Sequence, residues 1–324
     1  MPGPKISIIM PVKNAGKFLD QCVDSIIRQV NTNWELIAID DGSTDNSLEI
    51  LESFGRFQDI IHVEENKGQG IIPALQQAFE KSKGEYITRM DADDVMPVNK
   101  LELLYQSLKG KKRTVATGKV RYISDKKVSQ GFLRYEKWLN QVVDENAFDR
   151  DIYRECVIAS PNWMVHRSCF EKDIPFESLS YPEDYDLVFQ WHNQGYDIKA
   201  VDAVTHLWRE HPERTSRHSE HYQQLAFFRL KTAKFIENFK NDVNGVQLIG
   251  KGDKGKLIAR ILKDHNIEFE WFDLAPTDKY KSVLDLENRL SILSNWPQDE
   301  KVQHNISEFL RRKELKFGDN LWLF

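Results

Sequence analysis

Apolar residues in the first hundred positions come as short compact runs that alternate with stretches of helical period. Lys5 to Met10 is such a run, stopped by Pro11, and predicts a strand. Leu19, Cys22, Val23, Ile26, Ile27 and Val30 then recur at three- and four-residue spacing, one face of an amphipathic helix. Glu35 to Ile39 predicts a second strand that runs into Asp40-Asp41-Gly42-Ser43-Thr44-Asp45. Ser43, Thr44 and Asp45 are N-cap candidates for the helix carrying Leu48, Leu51 and Phe54. A third strand near Ile60 to Val63 leads to Asn66-Lys67-Gly68-Gln69-Gly70, then to a helix through Leu75, Ala78 and Phe79 with Gly84 as its stop. The next apolar run, from Glu85, ends in three carboxylates, Asp91, Asp93 and Asp94. Strands alternating with helices imply a mainly parallel sheet with helices on both faces. In such sheets the ligand lies beyond the carboxyl ends of the strands. Pro11 and Asn14, Asp40 and Asp41, the Asn66–Gly70 turn and the Asp91–Asp94 cluster all fall at that edge.

The pattern continues with a helix over Lys100 to Leu108 and a strand over Thr114 to Ile123 that contains Gly118. Residues 124–155 are polar and irregular apart from a helix over Tyr135 to Val143. Trp163, among polar neighbours, reads either as a platform for an acceptor sugar or as core. Leu187, Val188 and Trp191 carry helical spacing behind Pro182-Glu183-Asp184, and acids suit a first helical turn through the dipole alone. A strand over Ile198 to Val204 follows, and then a helix from Tyr222 with Leu225, Phe228, Thr232, Phe235 and Phe239 on one face. That helix docks on the first domain or pairs with a second copy of the chain. Val246 restarts a strand–turn–helix unit, with Gly250, Gly252 and Gly255 in dinucleotide-binding spacing and Asp273 about 20 residues on. The glycines read as nucleotide-binding or as serving close helix–strand packing in an accessory domain, and the small size of the unit favours packing. The expected division is 1–220 for the main domain, 221–243 for a connecting helix and 244–324 for a Rossmann-like accessory domain.

Composition changes this picture little. The chain has 324 residues, 40% hydrophobic and 29% charged, as in ordinary globular proteins. A formal net charge of −5 argues against nucleic acid as partner. Cys22, Cys156 and Cys169 lack metal-ligand spacing and suit core thiols in a reducing compartment. The apolar run near Met1 is too short for a signal peptide or a membrane span, so the expected location is cytoplasmic, with peripheral association at the inner membrane face left open. The acid cluster matters more. Three carboxylates within four residues repel one another and call for a cation or several donors. Hard oxygen ligands of this kind suit Mg²⁺ or Mn²⁺.

Ser7 to Asn14, Ile39 to Asp45, Asn66-Lys67-Gly68 and Gly84 to Asp94, in that order at successive strand ends, resemble the family 2 glycosyltransferases over about residues 5–217. The resemblance implies the GT-A fold and inverting transfer from a nucleotide-diphosphate sugar, with UDP favoured, to a saccharide or lipid-linked acceptor in cell-surface polysaccharide synthesis. It places Pro11, Val12, Asn14, Asp40 and Asp41 near the nucleoside and Lys67 and Gly68 near the nucleotide sugar. Asp91, with Ala92, reaches ribose or metal, while Asp93 is the metal ligand proper. Arg89 offers a fork to the nucleotide or balances the acids. The acids at the helix start supply the general base, Asp184 first, with Glu183 and Asp186 as lesser candidates. A related Arg-x-His-x-x-Ser-x-Ser-Arg pattern aligns with Arg209, His211, Ser216 and Arg217, and departs at Arg214-Thr215. His211 then completes the metal shell, with His206 as runner-up, and Arg209 or Arg217 faces the leaving diphosphate. Two rivals are a non-catalytic nucleotide-sugar-binding protein and a haloacid-dehalogenase-type phosphatase built on Asp91-x-Asp93.

Overall fold

The structure, a computed structural model, describes residues 5–239, 245–272, 290–297, 299–312 and 314–324. The chain divides into two compact units, Met1–Asn146 with Ile158–Thr215, and Ala147–Val157 with Ser216–Phe324.

The first unit opens with β1 (Ile6–Val12), α1 (Gly16–Ile27), β2 (Trp34–Asp40), α2 (Ser47–Phe57), β3 (Ile61–Glu65), α3 (Ile71–Lys81) and β4 (Tyr86–Arg89). It continues with α4 (Lys100–Leu108), β5 (Thr114–Ile123) and α5 (Gln130–Glu145). After the short helix α6 (Phe148–Asp151) of the other unit come β6 (Trp163–His166), α7 (Glu183–Asn193) and β7 (Asp197–Arg209). The seven strands form one sheet in the order β3-β2-β1-β4-β6-β5-β7. It is a mixed α/β sheet, parallel except where β6 pairs antiparallel with β4 and β5. Helices cover both faces, which is why β1 and β2 are mostly apolar and buried almost end to end, the polar Ser7 and Glu35 pairing with each other.

Three details depart from the expected pattern. β1 does not stop at Pro11 but runs to Val12, with Pro11 opposite Ile39. Its neighbour on the other side, β4, pairs only as far as Ile9, so the missing proline N–H leaves no ladder bond unmade. Trp163 is 2% exposed on β6, packed on Trp191 and Phe170 at centroid distances of 5.5 and 5.7 Å. It is core, and the sugar-platform alternative falls. β7 extends five residues beyond Val204, carrying His206 and Arg209 on a strand. Its pairing with β5 slips at Gly118, where a Cβ would stand 2.6 Å from Thr205 Oγ1. Only glycine permits that approach.

The boundary between the units falls within α8 (Thr215–His218), after Thr215; the second unit then holds α9 (Gln224–Phe239), β8 (Val246–Ile249), α10 (Asp253–Asp264), β9 (Phe269–Phe272), β10 (Ser291–Leu293), α11 (Glu300–Arg312) and β11 (Leu321–Leu323). Its described strands form a parallel sheet ordered β11-β10-β8-β9. The helix expected from Tyr222 begins instead at Gln224, Tyr222 closing a 3-10 turn. An aromatic core joins Tyr153 from the 147–157 segment to Phe235, Trp322 and Phe324. Asp273, the acid expected about 20 residues past the glycine turn, lies outside the described residues.

Candidate active site

The site grows from the carboxyl end of β4, where the strand stops and the chain turns through Asp91 to Asp94. Asp94 is 1% exposed and anchors this turn. Its Oδ1 accepts from Arg209 N at 2.7 Å, and its Oδ2 lies 2.7 Å from His206 Nε2. Lys100 Nζ lies 3.4 Å from the other ring nitrogen and donates to Pro161 O at 2.6 Å. A ring proton on Nε2 satisfies both contacts of His206. Burial, with the charges of Asp93 and Asp91, pushes the Asp94 carboxyl well above its ordinary value. Burial likewise lowers Lys100 to about 7 and His206 well below its usual range. His206 is therefore a packed histidine of the scaffold. Lys100 heads a helix among Leu101, Leu104 and Leu108 and carries no signal of burial in the sequence.

Asp93 is one quarter exposed, and its Oδ2 lies 2.9 Å from His211 Nε2. His211 Nδ1 in turn faces Glu213 Oε2 at 3.1 Å, and the ring packs on Phe18. Burial pushes Asp93 up, but the hydrogen bond from His211 and the charges of Arg214 and His211 outweigh it and hold the carboxyl below its ordinary value. Two ligands set cis on an octahedral cation at about 2.1 Å stand about 3 Å apart. Asp93 and His211 already have that spacing, and a carboxylate behind a ligating histidine is a common orienting arrangement. Among the described residues no group of three His, Cys, Asp or Glu is arranged as a complete metal cage. A Mg²⁺ or Mn²⁺ at this pair would take its other ligands from water or phosphate, as such ions commonly do.

Arg89, 4% exposed on β4, joins the acid turn to α7. Its Nε donates to Asp91 Oδ1 at 2.8 Å and its Nη1 to Glu183 Oε1 at 2.9 Å. Glu183 is 1% exposed, so this ion pair leaves it poorly placed to exchange a proton with a bound molecule. Asp186 is also buried and accepts from Ser180 N and Gln190 Nε2 at 2.8 and 3.1 Å. Asp184 differs. It is only half-buried, and desolvation followed by the charge of Glu183 pushes its carboxyl up to about 7. The charge of Asp91 also reaches it, which sets the start of α7 beside the acid turn.

At the ends of β1 and β2, Asn14 adopts φ 50° and accepts from Thr44 N at 2.8 Å, tying the two exits together. Asp41 Oδ1 accepts from Asn66 Nδ2 at 2.6 Å and from Gly70 N at 2.8 Å, and so shapes the next loop. Asp40 is 3% exposed; Ser43 N donates to its Oδ2, while its buried Oδ1 has no hydrogen-bond donor among the described residues. Pro11 is half-buried, Val12 and Ala92 are buried, and Lys67 and Gly68 are exposed on the Asn66–Gly70 turn. Arg209 is committed to the acid turn: Nε donates to Asp93 O at 2.6 Å and Nη2 to Gln21 Oε1 at 2.5 Å. Arg217 is exposed on α8. Arg214, where the family pattern departs, lies 3.5 Å from Glu210 Oε2; burial lowers its pKa, but the charges of Asp94 and Asp93 outweigh that and raise it.

A mixed sheet of this topology, with acids at the end of β4 and at the start of a following helix, is an α/β fold of the GT-A type. The glycosyl transferase family 2 profile matches residues 7–173, and the chain belongs to that family. It is 27% identical to glycosyltransferase GlyG of Streptococcus pneumoniae serotype 4 over 86% of this chain and 93% of that one. Poly(ribitol-phosphate) beta-glucosyltransferase of Bacillus spizizenii is 31% identical over 40% of this chain and 21% of its own length. Among solved structures, S. aureus TarS 1-349 in complex with UDP-GlcNAc superposes with a TM-score of 0.53 at 16% identity, covering 96% of this chain and 83% of that one. The protein is a glycosyltransferase, and the phosphatase reading falls with this assignment.

Proposed function

We propose that the protein is an inverting transferase that moves a sugar from a UDP-sugar to a saccharide or lipid-linked acceptor, with Asp184 as general base and Mg²⁺ or Mn²⁺ held by Asp93 and His211. The observation that carries the reading is the division of labour at the start of α7. Arg89 ties up Glu183, and the neighbouring Asp184 stays half-buried with its carboxyl near 7, where a general base works best. In the reaction the acceptor hydroxyl gives its proton to the Asp184 carboxylate as its oxygen bonds to the anomeric carbon. The bond from that carbon to the diphosphate breaks on the opposite face, and its electron pair leaves with the diphosphate. A bound cation would neutralise charge on that diphosphate. Arg89 holds Asp91 and Glu183 in place throughout.

The donor reading rests on the nucleoside edge. The buried Asp40 Oδ1 suits a pyrimidine N3–H or a ribose hydroxyl, which supplies the donor that the described residues do not. The UDP-GlcNAc complex of TarS and the polymer-glycosylating relative support a UDP-sugar and an acceptor of the surface-polysaccharide class. The test is transfer from a panel of UDP-sugars to candidate acceptors, with wild type beside Asp184→Asn. The variant is expected to lose about a hundredfold in rate, the low end for a general base, with UDP affinity nearly unchanged. Transfer by Asp184→Asn at the wild-type rate would remove the base assignment.

A further inference from the structure

Lys126 and Lys127 lie in the loop before α5, and Arg134 and Lys137 on the helix itself, and all four are exposed. Among the described residues none of the four enters an ion pair. Two acids fall in residues 125–137: Asp125, exposed, and Glu136, whose Oε2 accepts instead from Tyr122 N. On a chain with a formal net charge of −5, this is a local reversal of sign. Apolar surface is mixed into it. Leu133 is 38% exposed, and Phe132 beside it is half-buried with its ring 5.2 Å from Tyr122. Leu133, Arg134 and Lys137 share the side of α5 turned away from the buried Trp138, Leu139 and Val142.

The patch belongs to the same edge of the sheet as the acid turn. Asn140 bonds Val120 N and O through its amide, and Glu136 bonds Tyr122 N, so α5 runs back along β5 and begins beyond the carboxyl end of that strand. Ser124 Oγ donates to Glu210 O at 2.9 Å, and Glu210 N to Ile123 O at 2.8 Å, one residue before His211. A second basic run, Lys109, Lys111, Lys112 and Arg113, lies at the opposite end of β5. It is partly engaged, Arg113 with Asp173 and Lys111 Nζ with Ser107 O, and no large apolar side chain within it or flanking it is exposed.

We propose that the start of α5 docks the protein on an anionic lipid surface, with the four cations over the headgroups and Leu133 at the acyl boundary. Unpaired cations are drawn to an anionic leaflet within about a Debye length, and a bilayer is apolar just beneath its charge. A soluble polyanion would satisfy the cations but leave Leu133 in water, so the mixed surface fits a membrane better than a charged polymer. This goes beyond the transfer reading and does not rest on it.

The test is flotation of the full chain with vesicles of phosphatidylcholine alone and of phosphatidylcholine mixed with phosphatidylglycerol, at low and high salt. Wild type is expected on the mixed vesicles only, and to leave them at high salt. Arg134→Gln with Lys137→Gln is expected to weaken binding by about tenfold or more, since each cation near such a surface contributes about fivefold. Leu133→Ser is expected to weaken it about threefold or more. Lys111→Gln with Lys112→Gln removes the same charge at the other end of β5 and is expected to bind as wild type does. All these positions are exposed, so the variants are expected to keep the wild-type melting temperature. Equal loss in the two double variants would overturn the face assigned here, as would wild type ignoring the mixed vesicles. Unchanged binding by Leu133→Ser, with wild type captured as well by soluble polyphosphate, would make the patch a polyanion site and overturn the bilayer.

Discussion

Asp184 and Glu183 are adjacent acids whose environments differ in kind. Glu183 is fully buried and its charge is matched by Arg89, while Asp184 is half-buried beside that pair and feels Glu183 as a like charge. Desolvation and then Glu183 raise the Asp184 carboxyl to about 7. If Asp184 is the base, it must be ionised to accept a proton, and the transfer rate is then expected to fall as pH drops through about 7 and to level off above it. A pH profile of kcat/KM checks this, and a rate still flat down to pH 5 would contradict it. The stability sign runs the other way. The folded protein keeps a proton that the unfolded chain releases above about pH 4. Stability from this group is therefore greatest below about 4 and is lost as pH rises towards 7. With Asp184 as the base, catalysis would thus run on the less stable side of that titration.

At the scale of elements, the turn between β8 and α10 shows what its glycines are for. Gly255 sits in the first turn of α10, where a Cβ would collide with Gly250 O and come within 3.2 Å of Ser294 Oγ. Gly252 has φ −68° and nothing within 4 Å of an added Cβ. Its role is thus not the tight packing expected of it from spacing. Gly255→Ala is expected to destabilise the second unit by about 1–3 kcal/mol through overpacking against backbone, and Gly252→Ala to be close to neutral. Thermal melts of both variants check the contrast; equal melting temperatures would remove the packing role. The strand–turn–helix pattern is the same for nucleotide binding and for close packing, because both require a glycine where helix meets strand.

At the scale of the whole molecule, ligand binding and stability are linked. If Asp93 and His211 hold a divalent cation against the donor diphosphate, UDP with Mn²⁺ stabilises the fold by mass action, about 2.7 kcal/mol at a hundredfold over the dissociation constant. UDP with EDTA is expected to give little of that shift, and Asp93→Ala to abolish the Mn²⁺-dependent part. A full UDP shift in chelator, with transfer undiminished, removes the metal from the site. Among the described residues no helix is long and apolar enough to cross a membrane.

Apolar periodicity by itself determined the alternating strands and helices up to β4, and with them the sheet edge where Asp40, Asp41, Asp91 and Asp93 gather. That much is local: a strand buried on both faces must be apolar along its length, and a helix must repeat its apolar face every three or four residues. The residues at those strand ends, Ser7–Asn14, Ile39–Asp45, Asn66–Gly68 and Gly84–Asp94, carried the family resemblance, and the family profile bears that out. What periodicity left open were pairings between side chains far apart in the chain. Arg89 meets Glu183 across 94 positions, and Arg209 meets Asp94 across 115. No periodicity encodes such contacts, since they arise only when β4, β7 and α7 are packed together. Tertiary structure therefore decided that Trp163 is core, that Glu183 is tied by an ion pair to Arg89, and that Lys100 is buried against His206. It also decided that Arg209 braces the acid turn, and it set Arg214 on an aromatic platform formed by strands that join only in the folded sheet.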